Sequence, residues 1–259
     1  MLVGGGNMPK VLKAEDVVGG VYPTNNGGDC VIVEYRGWDA VTVKFLDEFG
    51  AEVTTQFTNI RSGAVANPYR KSLYGVGFLG EGKYKSKKGN KFTPEYIAWR
   101  GMLERVYSEK LHRKYPTYIG CTVCEEWHNF QVFAEWYCNH ESYGLGYDLD
   151  KDILVKGNKH YSPETCCLVP QEINCIFNTC GSLKRDLPLG VGYKKEKDMY
   201  YASVRNEGAL RHLGYFTTKE EAHEVYKEYK QIAVKNVALS YEGLIEAKVF
   251  DMLMFWTLD

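Results

Sequence analysis

Three short strand-like runs followed by a capped helix place the strongest constraint on how this chain folds. The runs lie at 190–194 (GVGYK), 199–205 (MYYASVR) and 211–216 (RHLGYF), and polar turns separate them. Thr218 with Glu221, or Thr217 with Glu220, then matches the capping box that begins many helices. The apolar residues beyond it recur at helical spacing: Ala222, Val225, Tyr226, Tyr229 and Ala233. Residues 186–240 are therefore predicted to form a three-stranded antiparallel sheet with one helix.

One face of this predicted sheet is suited to nucleic acid. Because successive strand residues point to opposite faces, Tyr200, Ala202 and Val204 would pack against the helix. The opposite face would display Tyr201, Ser203, Arg205 and Arg211, with Lys194, Lys195 and Lys197 beside it. Side chains of these types can contact bases and phosphates in a DNA groove. A solvated sheet face is the alternative, since antiparallel sheets often face water on one side.

The N-terminal third contains a second cluster of strand-like runs. They lie at 30–35 (CVIVEY), 40–45 (AVTVKF) and 52–57 (EVTTQF), and the turn signals GWD and DEFG separate them. Closely spaced strands of this kind usually curl into a small barrel. We expect an SH3-like β-barrel over residues 1–80. The glycine-spaced segment SLYGVGFLGEG would close it or pack against the next domain.

The net charge of −1 conceals charge that is segregated along the chain. Residues 83–120 carry ten basic and three acidic residues, whereas residues 121–150 carry six acidic and no basic ones. Within 81–93, the lysines lie among Gly and Ser residues without apolar periodicity; they include Lys85, Lys87, Lys88 and Lys91. This stretch is predicted to form a flexible basic arm that lies along DNA phosphates. A solvated linker is the alternative interpretation.

Helix signals come directly after the basic arm. Thr93 as N-cap, Pro94 at the first helical position and Glu95 in the first turn predict a helix start. A second helix is expected from Asn129, and the aromatic stripes of both helices are expected to form core. The tail 241–259 is predicted to be an amphipathic helix that packs on its own chain or on a second copy. The sequence therefore leaves the oligomeric state open, a dimer included.

An Asp-rich segment is the strongest candidate for chemistry. Asp148, Asp150 and Asp152 are spaced by two, so on a strand their carboxylates would project to one face. Like charges this close repel each other unless a cation or protons compensate them, which predicts a divalent metal ion. An acidic edge strand that resists aggregation is the alternative. A calcium-binding helix–loop–helix loop is excluded, because its sixth position requires Gly and is Ile153 here.

The segment around these aspartates resembles the ββα-metal motif of HNH endonucleases. After the Asp strand come a Gly-Asn loop, an apolar strand and a helix. Residues 94–182 resemble phage-encoded HNH proteins in the blocks YIAWRGMLERVY, YPTYIGCTVCEEWHNF, LDKDILVKGNKHYSPETCCLVP and QEIN. The resemblance implies hydrolysis of phosphodiester bonds in double-stranded DNA with Mg²⁺ or Mn²⁺. It also implies a phage-encoded protein in the cytoplasm of a bacterial host.

The resemblance assigns roles to particular residues. HNH enzymes carry a His at the end of the first strand to deprotonate water, and here Asp150-Lys151-Asp152 stands in its place. Asp150 or Asp152 would then serve as base or metal ligand, with His160 as the nearest alternative base. The Asn-bearing positions of the motif are matched by Asn158 as loop brace, Asn174 as metal ligand on the helix and Asn178 as its reserve.

The C-terminal module is similar to the DNA-binding domain of plant ethylene-response factors. That domain also occurs at the C-terminus of phage HNH endonucleases. The blocks that carry the similarity are GVGYKK, YYASV and LGYFTTKEEAHEVY. In that family a three-stranded sheet enters the major groove. The resemblance therefore implies that Tyr201, Arg205 and Arg211 contact DNA.

Cysteine usage and hydropathy restrict the classes of protein to which the chain can belong. Eight cysteines without a recognisable secretory signal favour a reducing compartment, and no apolar run is long enough to predict a membrane span. Cys121 and Cys124 have the spacing of half a zinc site. The second pair, Cys166 and Cys167, is adjacent and would point opposite ways on a strand. Buried free thiols are therefore expected instead of structural zinc.

The sequence as a whole predicts an α+β chain of several domains. These are an SH3-like β-barrel, a basic arm, a ββα-metal unit, a three-stranded sheet with a helix, and a C-terminal helix. The expected function is metal-dependent cleavage of duplex DNA by an endonuclease of phage type, homing enzymes included. Two alternatives stay open: a DNA-binding protein with a degenerate nuclease core, and a phage regulator or anti-defence factor that acts through protein binding.

Overall fold

The computed structural model describes residues 13–26, 28–177, 187–206 and 209–258. They form an α+β structure of several small sheets and separate helices, as the sequence predicts. The chain divides into two compact units. The first runs to Tyr84 and includes His128–Gln131, and the second contains Lys85–Trp127 and the residues from Val132 onward. No helix within the described ranges is long and apolar enough to cross a membrane.

A four-stranded antiparallel sheet organises the first unit. Its elements are α1 (Ala14–Val17), β1 (Val21–Pro23), β2 (Asp29–Tyr35), β3 (Val41–Phe45), β4 (Glu52–Thr55) and α2 (Phe57–Arg61). Alternate residues of β3, namely Val41, Val43 and Phe45, are buried, as period-two patterning requires. The predicted third run ends early because the chain turns into α2, whose Phe57 and Ile60 join the same core. The strand order is β1-β2-β3-β4, and closure into an SH3-like barrel stays a prediction.

The basic stretch at the start of the second unit forms a hairpin. Strands β5 (Lys87–Lys88) and β6 (Lys91–Phe92) pair antiparallel within the predicted basic arm, and the flexibility of the arm stays a prediction. Thr93 lies at the N-cap position of helix α3 (Pro94–Tyr107), as predicted. Its hydroxyl does not cap the helix but donates to the Lys85 carbonyl oxygen (3.0 Å). This bond attaches the hairpin to the start of α3.

Helices and aromatic side chains fill the middle of the second unit. The elements after α3 are α4 (Glu109–Lys114), β7 (Thr122–Val123) and α5 (Phe130–Asn139), of which residues 132–139 belong to the second unit. Trp99 is fully buried on α3, and its indole N–H donates to the Trp127 carbonyl oxygen (2.7 Å). The rings of Trp127 and Phe133 meet edge to face at 5.0 Å. The aromatic stripes therefore form core, as the helical spacing predicts.

A short antiparallel strand pair and a helix form the region that the sequence predicts to be a ββα-metal unit. The elements are β8 (Asp148–Asp150), β9 (His160–Tyr161), β10 (Cys167–Val169) and α6 (Gln171–Ile176). Strand β8 pairs antiparallel with β10, and β9 pairs in parallel with β7. Because β8 ends at Asp150, Asp152 lies outside the strand. The expectation that three aspartates share one strand face is therefore wrong.

The C-terminal elements adopt the predicted order of three strands and a helix. They are β11 (Val191–Lys194), β12 (Met199–Asn206), β13 (Ala209–Phe216), α7 (Lys219–Ser240) and α8 (Ala247–Met254). The strands pair antiparallel in the order β11-β12-β13. The Thr218 hydroxyl accepts from the Glu221 N–H (3.2 Å), and the Glu221 carboxylate accepts from the Thr218 N–H (3.3 Å). The first of the two predicted capping boxes is therefore confirmed.

Helix α7 contributes to two separate cores. Its N-terminal half packs against the three-stranded sheet through Ala222 and Tyr226. Its C-terminal half packs with residues of β10, α6 and α8 through Val234, Val237 and Ala238. Helix α8 thus packs on its own chain. A continuous helix joins the sheet module to the β8–β10–α6 region, so the predicted module boundary at 240 does not separate two cores.

Candidate functional site

The open face of the three-stranded sheet carries three of the four sheet side chains that the sequence predicts to contact DNA. Directly opposite residues of an antiparallel strand pair share a face. The opposite pairs on this face are Tyr201 with Tyr215, Ser203 with His212, and Arg205 with Leu210. On the other face, Ala202 and Val204 are buried against α7, and Tyr200 packs beside them. The predicted division of β12 into two faces is confirmed.

Three rings on the open face, Tyr201, His212 and Tyr215, form what we term the aromatic platform. Tyr201 and His212 stack with centroids 5.9 Å apart, and His212 meets Tyr215 at 4.7 Å. The Lys197 ammonium lies 3.9 Å from the centre of the Tyr215 ring. Tyr201 lies across Gly192 of the neighbouring strand, where a Cβ atom would come closer than 3.0 Å to the ring. Glycine at this position lets the tyrosine approach the sheet backbone.

The structure does not place Arg211 on the open face. It lies opposite Val204, whose side chain is buried against α7, and its guanidinium lies 5.7 Å from the centre of the Tyr229 ring on that helix. The prediction that Arg211 shares a face with Tyr201 and Arg205 is therefore wrong.

A β-bulge explains why Arg211 was assigned to the wrong face. It also explains why His212 and Tyr215 were not predicted to lie on the open face. The pairing shifts between Ala202 and Ser203, so Ala202 lies opposite Gly214 whereas Ser203 lies opposite His212. The bulge breaks the alternation of faces along β13 and brings His212 and Tyr215 to one side. Gly214, whose φ of 144° lies outside the usual range for other residues, is the sequence signal that could have indicated it.

Positive charge borders the aromatic platform. Arg205 is exposed on β12, and Lys195 and Lys197 lie in the 3₁₀ turn between β11 and β12. Lys194 pairs with Glu196 at 3.3 Å, and both side chains are well exposed. Such an exposed pair is weak, so Lys194 can exchange its partner for a phosphate at little cost.

Asp150 closes the turn that ends strand β8. Its Oδ1 accepts hydrogen bonds from the backbone N–H groups of Asp152 (2.7 Å) and Ile153 (2.8 Å). Burial raises the pKa of the Asp150 carboxyl, although these two hydrogen bonds oppose the rise. One carboxylate oxygen thus has a structural role in the turn.

A buried lysine, Lys151, compensates the negative charge of Asp152. Lys151 is 6% exposed, and its ammonium lies 2.6 Å and 2.7 Å from the two carboxylate oxygens of Asp152. It also donates to the Asn158 carbonyl oxygen (3.0 Å). The cation was predicted because the aspartates would repel each other. The Lys151 ammonium group reduces part of this repulsion.

Asn158 braces the segment between the strands. Its amide donates to the carbonyl oxygens of Lys151 (2.8 Å) and His160 (2.6 Å), and its Oδ1 accepts from the His160 N–H (3.0 Å). The His160 imidazole is half-buried, with Nδ1 2.8 Å from the Thr122 hydroxyl. The structure thus brings Asn158 and His160 together with Lys151 in one hydrogen-bonded loop.

Two of the residues expected to hold a metal ion, Asp150 and Asp152, have their carboxylates in contacts within the chain. Among the described residues, no group of three or more His, Cys, Asp and Glu side chains is placed to hold one. Asp152 is engaged by Lys151, and Asn174 lies half-buried on α6 with its backbone N–H donated to the Pro170 carbonyl (3.1 Å). Asn178 lies outside the described residues. A site for Mg²⁺ or Mn²⁺ at these residues therefore stays a prediction from the sequence.

The cysteines near this region are free thiols with little nucleophilic character. Cys121 and Cys124 flank β7, and Cys166 and Cys167 are fully buried next to Asp150. Burial raises the pKa of Cys124 to about 11 and that of Cys166 to about 12. The thiolate is the reactive form, so these side chains stay protonated at neutral pH.

The Lys151–Asp152 pair yields a stability prediction. Asp152→Ala is expected to lower the free energy of unfolding by about 2 kcal/mol, because it leaves a buried ammonium without its carboxylate. Lys151→Met is expected to lower it less, since Asp152, with its side chain 53% exposed, can turn to water. Urea denaturation of both variants, with exposed Asp148→Ala as control, measures the difference. A larger loss for Lys151→Met would contradict this assignment of the buried charge.

Comparisons of the chain with protein-family models, curated proteins and solved structures gave no match. The resemblances to HNH endonucleases and ethylene-response factors therefore stay predictions from the sequence. Function has to be inferred from the geometry of this chain's own residues.

Proposed function

We propose that the chain binds double-stranded DNA through the open face of its C-terminal sheet. The observation that carries this proposal is the combination on one face of an exposed arginine, a seryl hydroxyl and the aromatic platform. Lysines at the adjoining turn border that face. The opposite face is occupied by α7, whereas Arg205, His212 and Tyr215 on this face are exposed.

The chemistry of this face matches the major groove of DNA. A guanidinium can donate two hydrogen bonds to the O6 and N7 atoms of guanine, which makes Arg205 the candidate for base recognition. Tyr201, Ser203 and His212 offer hydroxyl and ring-nitrogen groups for bases or phosphates. Lys194, Lys195 and Lys197 would contact the phosphate backbone and set the orientation of the sheet.

The direct test is titration of a fluorescently labelled random-sequence duplex with the full chain at several salt concentrations. Saturable binding that weakens as salt rises is expected, because each phosphate contact releases a condensed counterion. Selection of the tightest-binding sequences from a pool of such random duplexes would then reveal base recognition. Absence of binding at low salt would contradict the proposal.

A second candidate function is hydrolysis of phosphodiester bonds in the bound duplex. The observation that favours it is the order β8, a loop braced by Asn158, β9, β10 and α6, with Asp150 last on β8 and His160 first on β9. When Nδ1–H of His160 donates to Thr122, Nε2 carries a lone pair that can take a proton from water. Mg²⁺ or Mn²⁺ is the cation that the sequence resemblance implies for such chemistry.

This candidate predicts nicking or cleavage of duplex DNA in buffer that contains Mg²⁺ or Mn²⁺. Cleavage is expected to disappear in Asp150→Ala and in Asn174→Ala while duplex binding persists. Phage and bacterial genomic DNA serve as substrates, and mapped break positions are the readout. Cleavage that survives both substitutions would refute these site residues. Binding without cleavage under any divalent ion is the result expected of the DNA-binding alternative.

A further inference from the structure

A group of cations surrounds one exposed aromatic ring near the start of the second unit. The Phe92 ring on β6 is 41% exposed. The Lys87 ammonium lies 4.7 Å from its centre, and the Arg100 guanidinium on α3 lies 5.7 Å from it. We term this set the hairpin surface: Lys85, Lys87, Lys88, Lys91, Phe92 and Arg100. All six residues are exposed.

Packing holds the ring of the hairpin surface in place. Phe92 stacks on Tyr96 of α3, with centroids 5.1 Å apart and planes 20° from parallel. Tyr96 in turn contacts the fully buried Trp99 at 5.8 Å. The ring that holds two cations by cation–π attraction is thus anchored to the core. Arg100 lies nine residues beyond Lys91 in the sequence, and only the packing of α3 beside the hairpin brings it to the same ring.

Within the described ranges, no carboxylate pairs with the cations of the hairpin surface, unlike several other cations of the chain. Lys194, Lys219, Lys227 and Lys248 each lie within 4.0 Å of a carboxylate. In the part of the chain that the structure describes, no carboxylate forms such a pair with Lys85, Lys87, Lys88, Lys91 or Arg100. The surface therefore presents uncompensated positive charge to an anionic partner.

We propose that the hairpin surface binds phosphate groups of the same DNA duplex that the sheet binds. This inference rests on the proposed function and adds a second place of contact, with Arg100 as a member. The anchored ring holds Lys87 and Arg100 beside each other, so less side-chain freedom is lost when they meet phosphates. The planar guanidinium of Arg100 suits two oxygens of one phosphate.

The test neutralises three of these cations and measures the salt dependence of duplex affinity. The variant is Lys87→Gln, Lys88→Gln and Arg100→Gln combined. The matched control is Lys110→Gln, Arg113→Gln and Lys114→Gln, which removes the same charge from exposed positions of α4. The slope of log affinity against log salt is expected to become shallower by about 2 to 3 in the variant. The control is expected to keep the wild-type slope.

The outcomes separate this inference from the proposed function. If wild type and both triple variants bind the duplex with equal slopes, the hairpin inference is wrong and sheet binding stands. If wild type does not bind the duplex, both fail. A parallel arm uses vesicles of phosphatidylglycerol. Loss of vesicle binding in the variant, without any change in the duplex slope, would assign the surface to lipid and overturn the inference. Circular dichroism checks that all variants are folded.

Discussion

Arg205→Ala is expected to weaken duplex binding by about 10- to 100-fold, because one bidentate contact with guanine is worth about 1–3 kcal/mol of discrimination. Part of this loss in affinity is expected only for the selected DNA sequence, because the guanidinium is the group on the open face best able to recognise a base. The variant should therefore bind the selected sequence and a random duplex with similar affinity. The measurement is fluorescence anisotropy with both duplexes at one salt concentration.

Arg211→Ala is the matched control for this prediction. Both arginines lie on the same strand pair, and each substitution removes one positive charge. Arg211 lies on the face that packs on α7, next to the Tyr229 ring. Its loss is expected to change affinity less than threefold, because only its long-range charge would be missing. Equal losses in the two variants would show that the sheet does not present one face to DNA.

The second large effect is expected from Gly190→Ala, which should destabilise the sheet module. Gly190 has a φ of 77°, where a Cβ atom is strained, and that atom would lie closer than 3.0 Å to the Tyr226 ring of α7. Strain of this kind costs about 1–2 kcal/mol, and overpacking against a ring adds about 1–3 kcal/mol. A loss of about 2–5 kcal/mol in the free energy of unfolding is therefore expected. Thermal and urea denaturation measure it.

Gly144→Ala separates strain from overpacking. Gly144 has a similar φ of 84°, but nothing lies within 4 Å of a Cβ atom there. Its substitution is expected to cost only the strain, about 1–2 kcal/mol. If the two alanine variants lose the same free energy of unfolding, a Cβ atom at Gly190 adds no overpacking against Tyr226, and the prediction is wrong. Duplex affinity measured on Gly190→Ala below its melting temperature should also fall, because the sheet rests on this contact.

Local patterns in the sequence predicted the elements of the C-terminal module well. Period two in β12 and the Thr218 capping box depend only on neighbouring residues, and both are confirmed. The faces of β13 were harder to predict, because the bulge opposite Ala202 reverses alternation along that strand. Arg211 was therefore assigned to the wrong face, and His212 and Tyr215 were missed. Only pairing with the neighbouring strand determines where the bulge lies.

The Asp segment shows a different limit of sequence reasoning. The spacing of Asp148, Asp150 and Asp152 predicts a shared face only if the strand continues, and it ends at Asp150 because that carboxylate accepts the next backbone N–H groups. The role of Lys151 depends on burial, which the sequence pattern did not indicate. The hairpin around Lys87 was likewise not predicted, because two-residue strands leave almost no periodic signal.

Photo-crosslinking from two tyrosine positions distinguishes the two sides of the C-terminal sheet as DNA-binding surfaces. Tyr215 lies on the open face and Tyr229 on α7, on the opposite side of the sheet, and both are 37% exposed. Benzoylphenylalanine placed at one position or the other in the full chain would be irradiated in the presence of a labelled duplex. DNA binding by the open face predicts crosslinked DNA from position 215 and none from position 229. Crosslinking from position 229 alone, or to an equal extent from both, would contradict it.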